Sequence, residues 1–149
     1  MKITQPPWDD PDATALRDRQ RAEIAAIYGT PDSDPGVPPS AADIAVFFVA
    51  HEDDGTAVGC AGLRHLGEGV GEVKRMYVAP AWRGSGVAAL ILRSLEDWAR
   101  AQGWTSLRLE TGDRLSGAVR FYTRSGYERI PNFGAYADSE SSLCFERML

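Results

Sequence analysis

Residues 71–88 read GEVKRMYVAPAWRGSGVA, and the fold is decided there. The β-branched and aromatic content of 72–78 predicts a strand, and Ala79-Pro80 ends it. Arg83-Gly84-Ser85-Gly86 follows, and from Val87 onward the apolar spacing predicts an amphipathic helix. The first N–H groups of such a helix have no intrahelical partner, and the helix dipole adds partial positive charge to them. Gly84 and Gly86 carry no Cβ, so an anionic ligand can come close to that backbone. Arg83 brings a permanent charge and a fork of donors to the same place. Such a corner suits a phosphate or pyrophosphate. The same glycines would also serve as a plain tight turn between strand and helix.

Two nucleotide-binding patterns are absent. No Gly-Lys-Ser/Thr follows the loop, so it is not a Walker loop, and of GxGxxG only Gly84 and Gly86 are in place. A nucleotide-binding module built on this loop would therefore lack both its lysine and its ribose-binding acid.

Outward from this stretch the chain divides into regular elements. Pro11–Tyr28 reads as a helix with Asp12 as N-cap, an imperfect apolar face through Leu16, Ile24 and Ile27, and Gly29 as its stop. Residues 30–40, TPDSDPGVPPS, hold four prolines and read as a loop, either a plain connector or a wall of a pocket. Residues 44–50, IAVFFVA, predict a buried strand, and 51–55 a hairpin turn. Residues 56–66 return as the next strand, where Gly59 and Gly62 signal a bulge or close packing. The helix from Val87 to Gln102 carries a core stripe and ends at Gly103. The strand at 107–110 is reached by a helical crossover, so it should run parallel to 72–78. Ser116–Arg124 predicts a short helix capped by Ser116, and 127–130 and Ser142–Met148 two closing strands. The pattern is an α/β (α+β) arrangement with a mixed sheet, read as one domain over residues 1–149.

Composition narrows the function. A chain of 149 residues can bury roughly 70% of the surface it exposes when unfolded. Its net charge of −5 speaks against a nucleic-acid binder working through a general basic field. Lys74, Arg75 and Arg83 can still supply positive charge locally to a polyanionic ligand. No apolar run is long enough to span a membrane, and MKITQPPWDD lacks the apolar core of a signal peptide, which makes the cytoplasm the expected compartment. Cys60 and Cys144 sit in apolar, strand-like stretches and read as free core thiols. His51 and His65 have no companions at metal-ligand spacing, so no metal site is expected.

Two motifs in order carry a resemblance. Arg83-Gly84-Ser85-Gly86-Val87-Ala88 matches Arg/Gln-x-x-Gly-x-Gly/Ala, and residues 118–127, AVRFYTRSGY, match Ala-x-x-Leu-Tyr-x-x-x-Gly-Phe/Tyr. Over about residues 44–149 the chain resembles the GCN5-related N-acetyltransferases (GNAT family). The resemblance implies a mixed central sheet flanked by helices, with a splayed pair of parallel strands binding the cofactor. It implies acetyl-CoA as co-substrate, its pyrophosphate on the amides of Arg83, Gly84, Ser85, Gly86, Val87 and Ala88. The backbone of Met76 and Val78 would pair with the pantetheine amides.

Acetyl transfer to an amine requires loss of an amine proton, a positioned thioester and a protonated leaving thiolate. Tyr122 matches the family tyrosine that serves the CoA sulfur; otherwise it is one more aromatic beside Phe121. Glu72 stands where some relatives have their general base; otherwise it is a solvated strand-end charge partnered by Lys74 or Arg75. Glu110, in Leu109-Glu110-Thr111-Gly112, is a second candidate base. Leu115 departs from an asparagine common in the family, a loss that Ser116 or Asp113 would have to make good. Trp8, Trp82, Phe133 and Tyr136 are candidates for lining an acceptor pocket. The expected activity is acetylation of a primary amine of a small molecule, such as an amino acid, a metabolite or an antibiotic-like amine. The alternatives are a protein N-acetyltransferase or a non-catalytic acyl-CoA sensor. Many members are dimers, and the resemblance leaves a homodimer open.

Overall fold

The computed structural model describes residues 1–31 and 33–149; Asp32, inside the proline-rich stretch, lies outside them. The chain is built on a seven-stranded mixed sheet of order β1-β2-β3-β4-β5-β7-β6. Strand β2 (Ile44–His51) explains its own sequence. Val46, Phe48 and Ala50 enter one apolar cluster, while Phe47 and Val49 enter another on the opposite face. A strand covered on both faces reads as a continuous apolar run rather than an alternating one.

Strand β1 (Lys2–Thr4) pairs antiparallel with β2, Ile3 opposite Ala50. Three residues carry no periodic signal, and this strand has no counterpart in the sequence reading. Strands β3 (Ala57–Gly67) and β4 (Val70–Val78) complete an antiparallel meander. Gly62 sits beside a register shift, and a Cβ there would stand 2.7 Å from the Phe47 ring. Bulge and close packing occur together.

Helix α1 (Pro11–Tyr28) covers one face through Ala13 and Leu16, packed with Phe47, Cys60 and Tyr77. Its N-cap is Asp10, not Asp12: the Asp10 carboxylate accepts the N–H groups of Asp12 and Ala13 at 3.0 and 3.1 Å, and Pro11 takes the first helical position. Gly29 ends the helix with φ 81. Helix α2 (Val87–Ala101) covers the other face with Val87, Ile91, Leu92 and Leu95, and Gly103 at φ 81 turns the chain away. The chain re-enters the sheet as β5 (Ser106–Gly112), parallel to β4. Helix α3 (Ser116–Arg124) follows, then β6 (Glu128–Ile130) and β7 (Ser142–Met148). Strand β7 lies between β5 and β6, antiparallel to both. Ser116 is not the cap of α3; Leu115 holds that position and gives no side-chain cap bond.

Two features of β4 open the sheet. Strands β4 and β5 pair only at Val70–Ser106, Gly71–Leu107 and Glu72–Arg108, then part. Opposite β3, a bulge sets two β4 residues against one, and Arg75 adopts φ 60 within it. The bulge shifts the strand's periodicity. Val73, Met76 and Val78 face the α2 side, while Tyr77 lies in the cluster on the α1 side. Among the described residues no helix is long and apolar enough to cross a membrane. Cys60 and Cys144 are buried and unpaired, and burial pushes the Cys60 thiol up to about 12, which keeps it inert.

Candidate active site

A cleft of about 1080 Å³ occupies the gap between the parted strands, floored by β4 and walled by α1, α2 and α3. Residues 20, 23, 24, 27 and 28 of α1 line it. This is why the apolar face of that helix reads as imperfect. Its first half faces core and its second half faces a cavity of mixed polar and apolar lining.

At one end lies the corner formed by residues 83–88. Helix α2 starts at Gly86, which has φ 92 and gives no side-chain cap bond; Gly84 has φ 77. A Cβ on either glycine would meet nothing within 4 Å, so the space above this helix start is open. Gly84, Gly86 and Ala88 line the cleft, whereas the Val87 side chain is core and Ser85 turns its hydroxyl onto the Trp82 carbonyl. The start of α3, with Ser116 and Gly117, borders the same cavity, as do Arg120 and Arg124. Two helix N-termini, two exposed guanidiniums and open glycines fit a polyanion.

Arg83 does not point its fork into that space. Its Nε donates to the Val78 carbonyl at 2.9 Å and its Nη2 to the Glu23 carboxylate at 2.8 Å, tying α1 to the corner. Gln20 Nε2 donates likewise to the Met76 carbonyl at 2.7 Å, leaving Gln20 Oε1 buried without a partner. The backbone acceptors of Met76 and Val78 that line the cleft thus each already hold one protein donor, with one lone pair remaining.

Further in, the Tyr122 side chain is only 6% exposed and lines the cleft, with no hydrogen bond from its hydroxyl to another described residue. Burial holds its phenol well above the ordinary tyrosine range, so it is a proton carrier at neutral pH. Glu110 lines the same cleft and accepts from the Ser142 hydroxyl at 2.5 Å. Burial raises its carboxyl above the usual carboxylate value, against a smaller lowering from that hydrogen bond. Thr111 and Gly112 of Leu109-Glu110-Thr111-Gly112 line the cleft as well. Leu109 is core, and a Cβ on Gly112 would collide with the Tyr28 hydroxyl.

Glu72 is neither solvated nor on the cleft. It is 2% exposed; its Oε2 accepts from the Tyr136 hydroxyl at 2.6 Å, and its Oε1 lies 3.7 Å from Arg64. Lys74 Nζ donates to Tyr136 at 3.0 Å and to Asp34 at 3.1 Å. The unit is a hydrogen-bonded network whose Lys74 and Asp34 reach the cleft while Glu72 and Tyr136 lie buried behind them, so Tyr136 is part of the support rather than of the pocket lining. Of the other candidate lining aromatics, Trp82 borders the cleft, Trp8 stacks 3.6 Å from the Arg17 guanidinium, and Phe133 packs edge-on to Tyr136.

Gln20, Asp34 and Arg75 line the cleft without having been singled out as lining residues from sequence. Asp34 had a signal: Asp-Pro-Gly marks an Asx turn, and its Oδ1 accepts from the Gly36 N–H at 2.7 Å. Arg75 had one too, since adjacent Lys74 and Arg75 break the two-residue alternation as a bulge does.

Comparison with known proteins places the architecture. A family model described as the acetyltransferase (GNAT) family matches residues 5–127, reaching into the N-terminal third that the motif resemblance had not used. An IAA acetyltransferase of Azospirillum brasilense is 38% identical over 103 residues, 68% of this chain and 67% of that one. A Klebsiella pneumoniae chain assigned as an acyl-CoA N-acyltransferase is 30% identical and superposes with a TM-score of 0.85 over 99% of this chain and 97% of that one. The PaiA N-acetyltransferase of Thermoplasma acidophilum, solved in complex with coenzyme A, shares the fold at 18% identity, with a TM-score of 0.73 over the whole of both chains.

Proposed function

The chain belongs to the acetyltransferase (GNAT) family and is an N-acetyltransferase by that membership, and we propose that it moves the acetyl group of acetyl-CoA to a primary amine of a small molecule in a ternary complex. It acts as one domain, in the cytoplasm. The observation that carries the reading is one cleft in which Glu110 and Tyr122 face the same space, both with proton affinities raised by burial.

The α2 start, with Gly84, Gly86 and Ala88, receives the pyrophosphate, and Arg120 and Arg124 add charge on the α3 side. Gln20 Oε1 and the remaining lone pairs of the Met76 and Val78 carbonyls are acceptors for amide N–H groups. Glu110, rather than the enclosed Glu72, takes a proton from the acceptor ammonium. The freed nitrogen lone pair bonds to the thioester carbonyl carbon as the carbon–sulfur bond breaks. Tyr122 gives its proton to the departing sulfur and regains one from the nitrogen, and the proton on Glu110 returns to solvent. Proximity within the cleft supplies much of the rate besides.

The test is free-CoA release from acetyl-CoA against pooled primary amines, with Tyr122→Phe in parallel. The variant should lose about 10²–10⁴-fold in turnover with the acetyl-CoA KM nearly unchanged. Equal turnover would remove Tyr122 from the mechanism. Release from no pool, with acetyl-CoA still raising the melting temperature, would leave an acyl-CoA sensor or a protein acceptor.

A further inference from the structure

Arg75 is a cleft-lining cation whose role the proposed chemistry leaves open. Its guanidinium is half-buried, and it makes no hydrogen bond or ion pair with another described residue. Its nearest carboxylate is committed elsewhere: one Asp34 oxygen accepts from Lys74 and the other from the Gly36 N–H. Arg17, Arg21 and Arg64 also act on it, each as a like charge, against the opposing influence of Asp34 and Tyr136. Arg64 is paired with Asp43 at 2.8 Å, and Arg17 is stacked on Trp8. A chain of net charge −5 thus keeps at this point of its cleft a guanidinium unpaired among the described residues. The backbone is strained to keep it there, because φ 60 is a left-handed conformation that an arginine rarely takes.

We infer that Arg75 is the anchor for a carboxylate on the acceptor, so that the substrate is an amino acid-like amine rather than a polycation. This rests on the N-acetyltransferase reading above. The guanidinium presents a planar fork matched to a carboxylate, and a half-buried fork without a protein acceptor gains most from a ligand that supplies one. One guanidinium beside the charge of Asp34 balances a single negative charge better than the two of a phosphate. Glu110 faces the same cavity and shares the electrostatic influence of Asp34. The acceptor ammonium therefore meets a carboxylate while its own carboxylate meets Arg75. A polyamine would bring a further cation toward the Arg75 guanidinium and no group that can pair with it.

The experiment compares three acceptor sets: pooled L-amino acids, the same amino acids as C-terminal amides, and spermidine. Wild type should use the acids with kcat/KM about 100-fold above the amides, the worth of a desolvated charge-assisted pair. Arg75→Asn suits the left-handed backbone and removes the charge; it should bring that ratio close to one and leave the acetyl-CoA KM unchanged. Arg75→Lys keeps the charge without the fork and should fall between. Equal use of acids and amides by wild type, preference for spermidine, or an unchanged ratio in Arg75→Asn would each overturn the anchor. Transfer to none of the three sets would count against the acetyltransferase reading, and the anchor is then read by binding. With CoA present, the acid pool should raise the melting temperature of wild type and not of Arg75→Asn. Absence of that difference overturns the anchor by itself.

Discussion

The two ends of the cleft are built in opposite ways. The end assigned to the donor is built mainly on one stretch of chain, from Met76 to the first turn of α2, with Gln20 and the α3 arginines beside it, and it works mainly through backbone: left-handed glycines and helix N–H groups. The end assigned to the acceptor is made of side chains brought together from the Asp34 turn, the β4 bulge and β5, and braced from behind by Tyr136. A backbone site tolerates exchange of most of its side chains but not of its φ angles. A side-chain site tolerates small backbone adjustments but not loss of one partner.

That contrast can be broken by mutation. Glu110→Gln should have the largest effect, about 10²-fold or more in kcat/KM. A base works only when deprotonated, and burial raises the Glu110 pKa, so the acid limb of the wild-type profile should lie above the ordinary carboxylate range and vanish in the variant. If Glu72→Gln erased the limb instead, the division between cleft and supporting network would fail. Next comes Gly86→Val, which forces a β-branched residue to φ 92. The strain, about 1–2 kcal/mol, should weaken acetyl-CoA roughly tenfold and leave the acceptor KM alone. A raised acceptor KM with normal acetyl-CoA affinity would show that the two ends are not separable.

Smaller effects test the bracing. Tyr136→Phe leaves buried Glu72 and Lys74 each short of one hydrogen bond and should cost about 1–3 kcal/mol in a denaturant melt, without changing acetyl-CoA affinity. The least effect is a pH dependence of stability. Burial makes the folded pKa of Glu110 higher than the unfolded one, so the protonated form is favoured in the fold. The stabilisation is complete below the unfolded pKa and lost as pH rises through the folded one. Glu110→Gln, neutral throughout, should therefore gain in melting temperature over wild type as pH rises from the ordinary carboxylate range through the raised folded pKa of Glu110. A constant difference would mean that Glu110 is not buried as described.

Much of the fold was legible in the chain. The continuous run in β2, the stripe on α2, the left-handed glycines and the parallel crossover are each local patterns with one physical solution. Strand β1 was not, because three residues carry no period and its pairing with β2 is purely tertiary. The caps of α1 and α3 moved by one or two residues for a related reason: several polar residues compete at a helix start, and the approach of the chain selects among them. Glu72 shows the limit most plainly. Its position beside Lys74 was readable, but its enclosure depended on Tyr136, 64 residues away.

By itself the sequence determined the strand–loop–helix corner, the two motifs and hence the family, because these rest on neighbours in the chain and on backbone conformations that few residues allow. The tertiary structure decided which carboxylate meets the cavity, which is sealed beneath it, and that the half-buried Arg75 of the cleft has no hydrogen-bond or ion-pair partner among the described residues. Those outcomes depend on side chains from distant segments meeting within hydrogen-bond range, and on how much water the packing removes around each. Neither quantity is written in any single stretch of the chain.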